Sequence, residues 1–489
     1  MNKPMRRVAV FCGLLVLALL LRVNWVQFVQ ADDLQNDEHN RRVNIERYAN
    51  PRGDIIVDGE PITGSEETDN SDYRYQRTWV DGPMWAPVTG YSSQAFGTTQ
   101  LEHLNDSILT GDDDRLFFNN TIDMFTGEDQ RGGNVVTTLN ADAQRAAFEG
   151  LGDSKGAVAA IDPRTGEILA MASTPSYDPS SFAGNGGEDE DAWVALNQDE
   201  DKPLVNRALR ETYPPGSTFK VVTAAAALEA GVVDDVDTET DSPEPYYLPE
   251  TENVELGNQV NDGRCEDATI RTAIQLSCNS VFANLSDRLG NEEMRETAEA
   301  FGYNEEQFIP VRADASAYPE DNRPQNAQAG IGQASNRATP LQMAMVAAAV
   351  ANDGTLMQPY MVDQLIAPSL NVIEQHEPEE MSEPMSSDTA QQLQSAMETM
   401  VDESVIDTGE LSDVRVGGKT GTAQHGENNE ETPYAWFISY AMTDEGSPVA
   451  VAVVVEDAGV ARDDVSGSGL AAPIAVDVME AVLAGENEG

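Results

Sequence analysis

The most informative stretch of this sequence is Tyr213-Pro214-Pro215-Gly216-Ser217-Thr218-Phe219-Lys220. Its Pro-Pro-Gly run predicts a turn that opens a helix, and Ser217 falls in the first helical turn. There the helix dipole favours a developing alkoxide. Lys220 stands one turn further on and shares the helix face of Ser217. A serine after Pro-Gly is often only a helix cap, whereas this spacing also suits a nucleophile and its base. A lysine base must be neutral, so burial or nearby positive charge must lower its pKa.

A second motif, Ser277-Cys278-Asn279, follows along the chain. Ser277 could pass a proton between Lys220 and a leaving amine, and Asn279 could hydrogen-bond a substrate amide. By itself such a motif is often just a polar pair beside a helix. The functional interpretation depends on its order after Ser217 and Lys220.

A third motif, Lys419-Thr420-Gly421-Thr422, lies on a predicted strand. Lys419 and the two threonine hydroxyls are expected to bind a terminal carboxylate. Gly421 is expected to leave room for a substrate lying flat against the strand edge. The backbone N–H groups of Ser217 and Thr422 would form an oxyanion hole. An edge strand with a solvated lysine is the alternative, but the ordered set of three motifs is typical of serine acyltransferases that react with penicillin.

Composition restricts the partners. The 489 residues carry 85 acidic against 29 basic side chains, a formal net charge of −56, which argues against nucleic acid. The acidity indicates either a solvated surface or adaptation to a salty environment. The four histidines show no metal-ligand spacing and no Cys-x-x-Cys occurs, so neither a metal nor a cofactor is expected. These histidines are His39, His103, His376 and His425, and His425 is assigned to a solvated loop or a substrate contact.

The N-terminus predicts a membrane anchor. An apolar run from Val8 to Val29, interrupted by Arg22, is long enough to span a bilayer. Basic residues precede it and acidic residues follow it, which predicts a single pass with the N-terminus inside and the remainder outside the cell. These flanks are Lys3, Arg6 and Arg7, then Asp32, Asp33, Asp37 and Glu38. The alternative is a signal peptide cleaved after Val29-Gln30-Ala31.

Cys265 and Cys278 are the two cysteines of the exported part. In an oxidising compartment they could form a disulfide that braces the loop carrying Ser277 and Asn279. Two separate thiols are the alternative. Cys12 is interpreted as a membrane-embedded residue.

The periodicity predicts three segments: residues 1–31 as cytoplasmic stub and anchor, 32–135 as an irregular non-catalytic pedestal, and 136–489 as the catalytic domain. Strands at both ends of that domain with long helices between them predict an α+β fold, one antiparallel sheet sandwiched by helices. The predicted helices are 141–151, 218–230, 270–289, 341–351, 389–400 and 471–483. The predicted strands are 134–139, 156–162, 167–172, 418–423, 435–441 and 449–455. Residues 184–201 and 239–262 are predicted to be loops.

These motifs together resemble the class B penicillin-binding proteins, and most specifically the actinobacterial penicillin-binding protein A type. The likeness covers nearly the whole chain. It rests on the three motifs and on further stretches: Pro51-Arg52-Gly53, Ala86-Pro87-Val88-Thr89-Gly90-Tyr91, Thr339-Pro340-Leu341-Gln342-Met343, Ala435-Trp436-Phe437 and Ala471-Ala472-Pro473. The extreme acidity departs from the family pattern.

The resemblance implies a D,D-transpeptidase that cross-links peptidoglycan stem peptides through an acyl-serine and is inhibited by β-lactams. Ser217 would be the nucleophile and Lys220 its base. Residues 32–135 are too few for a glycosyltransferase domain, so a separate glycosyltransferase and division proteins are the expected partners. The rival functions are a D,D-carboxypeptidase or β-lactamase on the same fold, and a penicillin sensor that acylates without turnover.

Overall fold

The structure, a computed structural model, describes residues 3–30, 34, 45, 47–70, 72–116, 131–260, 262–409, 411, 414–426 and 429–486. Ala31 of the alternative cleavage site, the acidic residues predicted to orient the anchor (Asp32, Asp33, Asp37 and Glu38) and His39 lie outside this described part.

The strands are β1 (Ile55–Val57), β2 (Glu60–Pro61), β3 (Thr63–Glu67), β4 (Tyr75–Trp79), β5 (Ser92–Ser93), β6 (Gly97–Thr98), β7 (Asn134–Thr137), β8 (Lys155–Ile161), β9 (Ile168–Thr174), β10 (Tyr246–Tyr247), β11 (Glu255–Leu256), β12 (Gln307–Phe308), β13 (Arg312–Ala313), β14 (Leu356–Met357), β15 (Val362–Ile366), β16 (Val372–Gln375), β17 (Glu380–Ser382), β18 (Arg415–Ala423), β19 (Tyr434–Thr443) and β20 (Gly446–Asp457). The helices are α1 (Lys3–Phe28), α2 (Gly82–Thr89), α3 (Gln100–Leu104), α4 (Asp106–Thr110), α5 (Ala141–Leu151), α6 (Gly187–Gln198), α7 (Arg207–Arg210), α8 (Lys220–Glu229), α9 (Ile270–Leu276), α10 (Asn279–Ala300), α11 (Arg323–Ala329), α12 (Pro340–Ala351), α13 (Ser387–Asp402) and α14 (Ala472–Glu486).

The main sheet has the strand order β18-β19-β20-β8-β9, and every neighbouring pair is antiparallel. Its strands are almost continuously apolar, and most of their side chains are buried, because helices cover both faces. The helices α5 and α14 pack together on the sheet, while α12 and α13 pack against it as a second group together with α8. The predicted antiparallel sheet sandwiched by helices is confirmed. Strand β18 lies at one edge, where a ligand has access to its backbone.

A second sheet has the order β16-β15-β7-β1-β2. Strand β7 runs parallel to β1 and antiparallel to β15, so this sheet joins residues from both sides of the predicted boundary at 135. The region that the sequence suggested to be irregular therefore contains regular structure.

A buried ion cluster lies in this first region. Glu102 is fully buried and accepts from Arg52 Nε and from Arg77 Nε, each at 2.6 Å. Arg52 also contacts Asp106 at 2.7 Å. A buried carboxylate shared by two guanidinium groups ties α3 to the start of β1 and to β4.

Two predictions of local structure are wrong. The helix predicted over 270–289 is broken, because Ser277 adopts a left-handed conformation (φ 56°, ψ 44°) between α9 and α10. The loop predicted over 184–201 contains the helix α6, whose Trp193 stacks on Phe96 with ring centroids 4.8 Å apart. Residues 239–262 are mostly irregular, as predicted, but they contain the short hairpin β10–β11.

Two helices in the described part are long and apolar enough to cross a membrane. One is α1, which is exposed along its whole length, and the other spans Gly467–Gly485 and is largely packed inside the protein. An exposed apolar helix of 26 residues is stable only in an apolar environment, so α1 is the candidate anchor.

Candidate active site

The turn that carries Ser217 is fixed by backbone contacts. Residues Gly216–Phe219 form a 3₁₀ turn and α8 begins at Lys220. Ser217 therefore lies in the turn just before the α-helix, whereas the sequence predicted it in the first turn of that helix. The Gly216 N–H donates to the Gly332 carbonyl at 2.9 Å. The buried Trp436 indole donates to the Pro214 carbonyl at 3.1 Å. The turn that carries Ser217 is therefore held from two sides.

Lys220 is fully buried at the start of α8. Its Nζ lies 2.7 Å from the Ser277 carbonyl, 2.7 Å from Asn279 Oδ1 and 3.1 Å from Ser277 Oγ. The first two partners can only accept. The third is a hydroxyl, so it can either accept from an ammonium or donate to a neutral amine.

Ser277 lies between two lysines because its left-handed backbone turns the chain at the end of α9. Its Oγ is 3.1 Å from Lys220 Nζ and 3.1 Å from Lys419 Nζ. A hydroxyl bracketed by two amines can take a proton from one and give its own to the other. The geometry thus suits a proton relay.

Lys419 projects from the edge strand β18 and is fully buried, with its Nζ also 3.0 Å from the Thr420 carbonyl. Thr420 and Thr422 are half-buried. Gly421 also has a packing reason, besides the predicted room for a substrate. A Cβ at this position would lie 3.1 Å from Thr218 Cγ2, 3.1 Å from Trp436 Cβ and 3.2 Å from the Pro215 carbonyl, so the missing side chain accommodates the turn that carries Ser217.

Burial controls the charge of both lysines. It lowers the pKa of Lys220 well below its usual value, and the positive charge of Lys419 lowers this pKa further. Burial lowers the pKa of Lys419 to about 7. Two amines in one desolvated site cannot both hold a proton easily, which favours a neutral Lys220 at neutral pH.

The structure thus brings together Lys220, Ser277, Asn279 and Lys419, with Ser217 at the turn just before α8. In the described part no hydrogen bond joins the Ser217 hydroxyl to Lys220. Catalytic hydrogen bonds often shorten only when substrate is bound. His425 lies in the loop after β18, where it stacks on Tyr434 and its Nε2 lies 2.6 Å from the Thr432 carbonyl.

One wall of the site was not predicted from the sequence. The segment after β11 reaches the second motif, since Asn279 Nδ2 donates to the Gly257 carbonyl at 2.8 Å. A disulfide joins Cys265 to Cys278 beside it. The pair of cysteines was the one signal in the sequence for this proximity. Trp436 and Gly332, which hold the turn that carries Ser217, carried no separate signal as site residues.

Comparison with known families accounts for most of the chain. Residues 156–480 match the penicillin binding protein transpeptidase domain, and residues 52–135 match the penicillin binding protein A dimerisation domain. The peptidoglycan D,D-transpeptidase PbpA of Mycolicibacterium smegmatis is 38% identical over 492 residues, which cover 99% of each chain. PbpA of Mycobacterium tuberculosis is 38% identical over 498 residues, covering 99% of this chain and 100% of the relative.

Solved structures of penicillin-binding proteins are similar to this chain over most of its length. The ceftriaxone acyl-enzyme complex of penicillin-binding protein A from M. tuberculosis superposes with a TM-score of 0.84 at 37% identity, covering 90% of this chain and 100% of that one. The penicillin G acyl-enzyme complex of the same protein has a TM-score of 0.82 at 37% identity, covering 89% and 100%. The motifs, the fold and these full-length matches lead to one conclusion: the chain belongs to the penicillin-binding proteins, in the family that carries the transpeptidase domain.

Proposed function

We propose that Ser217 is the nucleophile of this peptidoglycan D,D-transpeptidase, that Lys220 is its general base, and that Ser277 relays protons to and from the leaving and entering amines. One observation carries the proposal: a buried lysine whose pKa is lowered shares a single serine hydroxyl with a second buried lysine at 3.1 Å on each side. A neutral amine in this position can accept a proton that an exposed lysine could not.

In the acylation step, Lys220 takes the hydroxyl proton of Ser217 as Oγ attacks the carbonyl carbon of the penultimate D-Ala of a stem peptide. The carbonyl oxygen becomes an oxyanion that accepts from the backbone N–H groups of Ser217 and Thr422. The C–N bond then breaks. The terminal D-Ala leaves as an amine after receiving the proton from Lys220 through Ser277, and an ester remains on Ser217.

Transfer reverses these roles. The amine of a neighbouring stem peptide attacks the ester carbonyl, and its proton passes through Ser277 to Lys220. The C–O bond breaks, Ser217 recovers its proton, and a new amide cross-links the two stems. Asn279 is assigned to the substrate amide, and the substrate carboxylate is assigned to Lys419, Thr420 and Thr422 at β18. β-Lactams acylate Ser217 because their ring amide mimics the D-Ala-D-Ala terminus.

We further propose that α1 is an uncleaved single-pass anchor, with the N-terminus in the cytoplasm and the catalytic part outside. Lys3, Arg6 and Arg7 before the apolar run support this orientation. In this arrangement residues 32–135 are a pedestal, and residues 136–489 form the transpeptidase domain. A separate glycosyltransferase and division proteins are the proposed partners during growth or division, since residues 32–135 are too few for a glycosyltransferase domain.

Intact-protein mass spectrometry of the detergent-solubilised full chain with benzylpenicillin tests the chemistry. We expect a stable adduct on the wild type and none on Ser217→Ala. An adduct that disappears within seconds while the drug is consumed would identify a β-lactamase instead. The absence of any adduct, at low and at high salt, would contradict the assignment of Ser217.

Cross-linking distinguishes the remaining alternatives. With a pentapeptide donor and a primary-amine acceptor, a transpeptidase forms the new amide, whereas a carboxypeptidase releases D-Ala only. A sensor is acylated by penicillin and forms neither product.

A further inference from the structure

The amide of Asn279 is fixed in one of its two orientations by the wall segment that follows β11. Its Oδ1 accepts from Lys220 Nζ at 2.7 Å, and its Nδ2 donates to the Gly257 carbonyl at 2.8 Å. A flip of the amide would direct Oδ1 at the Gly257 carbonyl oxygen and would remove an acceptor from Lys220. The Gly257 carbonyl therefore selects the orientation that leaves the second N–H of Asn279 for a substrate carbonyl.

Asn258 holds the Gly257 carbonyl in place. Its Oδ1 accepts from the Ser280 N–H at 3.0 Å, and its Nδ2 donates to Ser280 Oγ at 3.0 Å. These two bonds dock the wall segment on the first turn of α10, directly beside Asn279. Ser280 is fully buried, so the docking point itself is rigid.

Glu244 orients Asn258 from the other side. Its Oε1 accepts from Asn258 Nδ2 at 2.9 Å, and its Oε2 accepts from the Cys265 N–H at 3.2 Å. The carboxylate thus bridges the hydrogen-bonded wall segment and the cysteine whose disulfide ends at Cys278. The wall is attached to the second motif at two separate points, one covalent and one polar.

We infer that Asn258 is a positioning residue of the transpeptidase: by docking the wall segment on Ser280, it keeps the Gly257 carbonyl against Asn279 and so fixes the face that Asn279 presents to Lys220 and to the substrate. This inference rests on the proposed function and assigns a role in it to a segment outside the three motifs. Asn258 touches neither Lys220 nor any reacting atom, and it acts through Asn279.

The test compares Asn258→Ala with Thr251→Ala in the detergent-solubilised full chain. Thr251 lies in the β10–β11 hairpin that leads into the wall segment, where its hydroxyl donates to the Leu248 carbonyl at 2.7 Å. It contacts none of the site residues. The readout is the second-order rate constant of acylation by benzylpenicillin, followed by intact mass. It is measured between about pH 5 and pH 9, so that the acid limb of the profile can be located. Melting temperatures are recorded for each variant.

For Asn258→Ala we expect acylation about tenfold slower at neutral pH, the size expected for one or two lost hydrogen bonds. The acid limb of its pH profile should move to lower pH, because a freely rotating Asn279 stabilises the Lys220 ammonium less. Asn258→Ser, whose hydroxyl can still accept from the Ser280 N–H, should recover part of the rate. Thr251→Ala should match the wild-type rate and profile.

A wild-type rate in Asn258→Ala would overturn the inference, and so would a slower rate with an unmoved acid limb. Asn258→Ser applies the same criterion if Asn258→Ala does not fold: it must then show a smaller loss and a smaller shift in the same direction. A wild type that benzylpenicillin does not acylate would overturn the proposed function, and the inference with it. The two failures are therefore distinguishable.

Discussion

At the scale of single residues, the site depends on two lysines that share one hydroxyl. Lys220 and Lys419 are both fully buried and both contact Ser277 Oγ. Desolvation penalises each ammonium, and the charge of one penalises the other. Lys220, at the start of α8, experiences both effects, whereas burial alone lowers the pKa of Lys419, and this difference supports Lys220 as the proposed base.

Replacing Lys419 by methionine should move the acid limb of the acylation pH profile to higher pH. The positive charge of Lys419 lowers the pKa of Lys220. Without this charge Lys220 holds its proton more tightly and is neutral only at higher pH. The measurement is the rate constant of acylation by benzylpenicillin as a function of pH. Lys155→Met is the control, because Lys155 lies on β8, which β19 and β20 separate from β18. An acid limb that stays in place or moves to lower pH would show that Lys419 does not tune the base.

The backbone of Ser277 is the second determinant at this scale. A non-glycine residue in the left-handed region costs roughly 1 kcal/mol, and Ser277 adopts it at φ 56°. That conformation turns the hydroxyl toward both lysines.

Ser277→Gly should therefore be more stable than Ser277→Ala, by about 1 kcal/mol, because glycine enters the left-handed region without steric cost. Both variants lack the hydroxyl, so both should be acylated equally slowly and only their stabilities should differ. Chemical denaturation of the two proteins gives the difference. Equal stabilities, or a less stable glycine variant, would mean that the turn carries no strain.

At the scale of elements, the region before the catalytic domain is held by a buried carboxylate. Glu102 forms ion pairs with both Arg52 and Arg77, and these residues join α3, β4 and the start of β1. A buried ion pair adds little stability relative to an apolar core, but loss of one partner leaves a desolvated charge.

Glu102→Gln should lower the free energy of unfolding by about 3 kcal/mol or more, because two buried guanidinium groups then lose the buried carboxylate that they share. They keep only the partly exposed carboxylates of Asp106 and Asp54. Glu67→Gln serves as the control. Its partner Arg74 is 47% exposed, and such surface pairs contribute about 0.5 kcal/mol. Thermal and denaturant unfolding of both variants would measure the contrast. If the two variants were equally stable, the buried ion cluster around Glu102 would contribute no more to stability than a surface ion pair.

At the scale of the whole molecule, the net charge of −56 acts on the compact state as self-repulsion. The 29 basic residues are too few to compensate the 85 acidic ones, so a large excess of negative charge remains within the chain. Salt screens this repulsion over a distance of about 10 Å at 0.1 M and about 3 Å at 1 M.

The melting temperature should therefore rise as the salt concentration increases from about 0.1 M to about 1 M. Differential scanning calorimetry of the detergent-solubilised chain in NaCl measures this effect. Sodium sulfate should not be used, because it stabilises proteins by exclusion regardless of their charge. A flat or falling melting temperature would identify the acidity as a solvated surface without salt adaptation.

The fold class, the main-sheet strands and the residues of the three motifs could be predicted from the sequence, because these depend on periodicity and on the residue types that the chemistry requires. Spacing along one chain does not show where distant segments meet. The left-handed Ser277, the helix α6 and the wall segment at Gly257 and Asn258 were decided by tertiary contacts, since each exists only where another segment packs against it. The tertiary structure also lowered the pKa values of Lys220 and Lys419, because it buries the two amines within reach of a single hydroxyl.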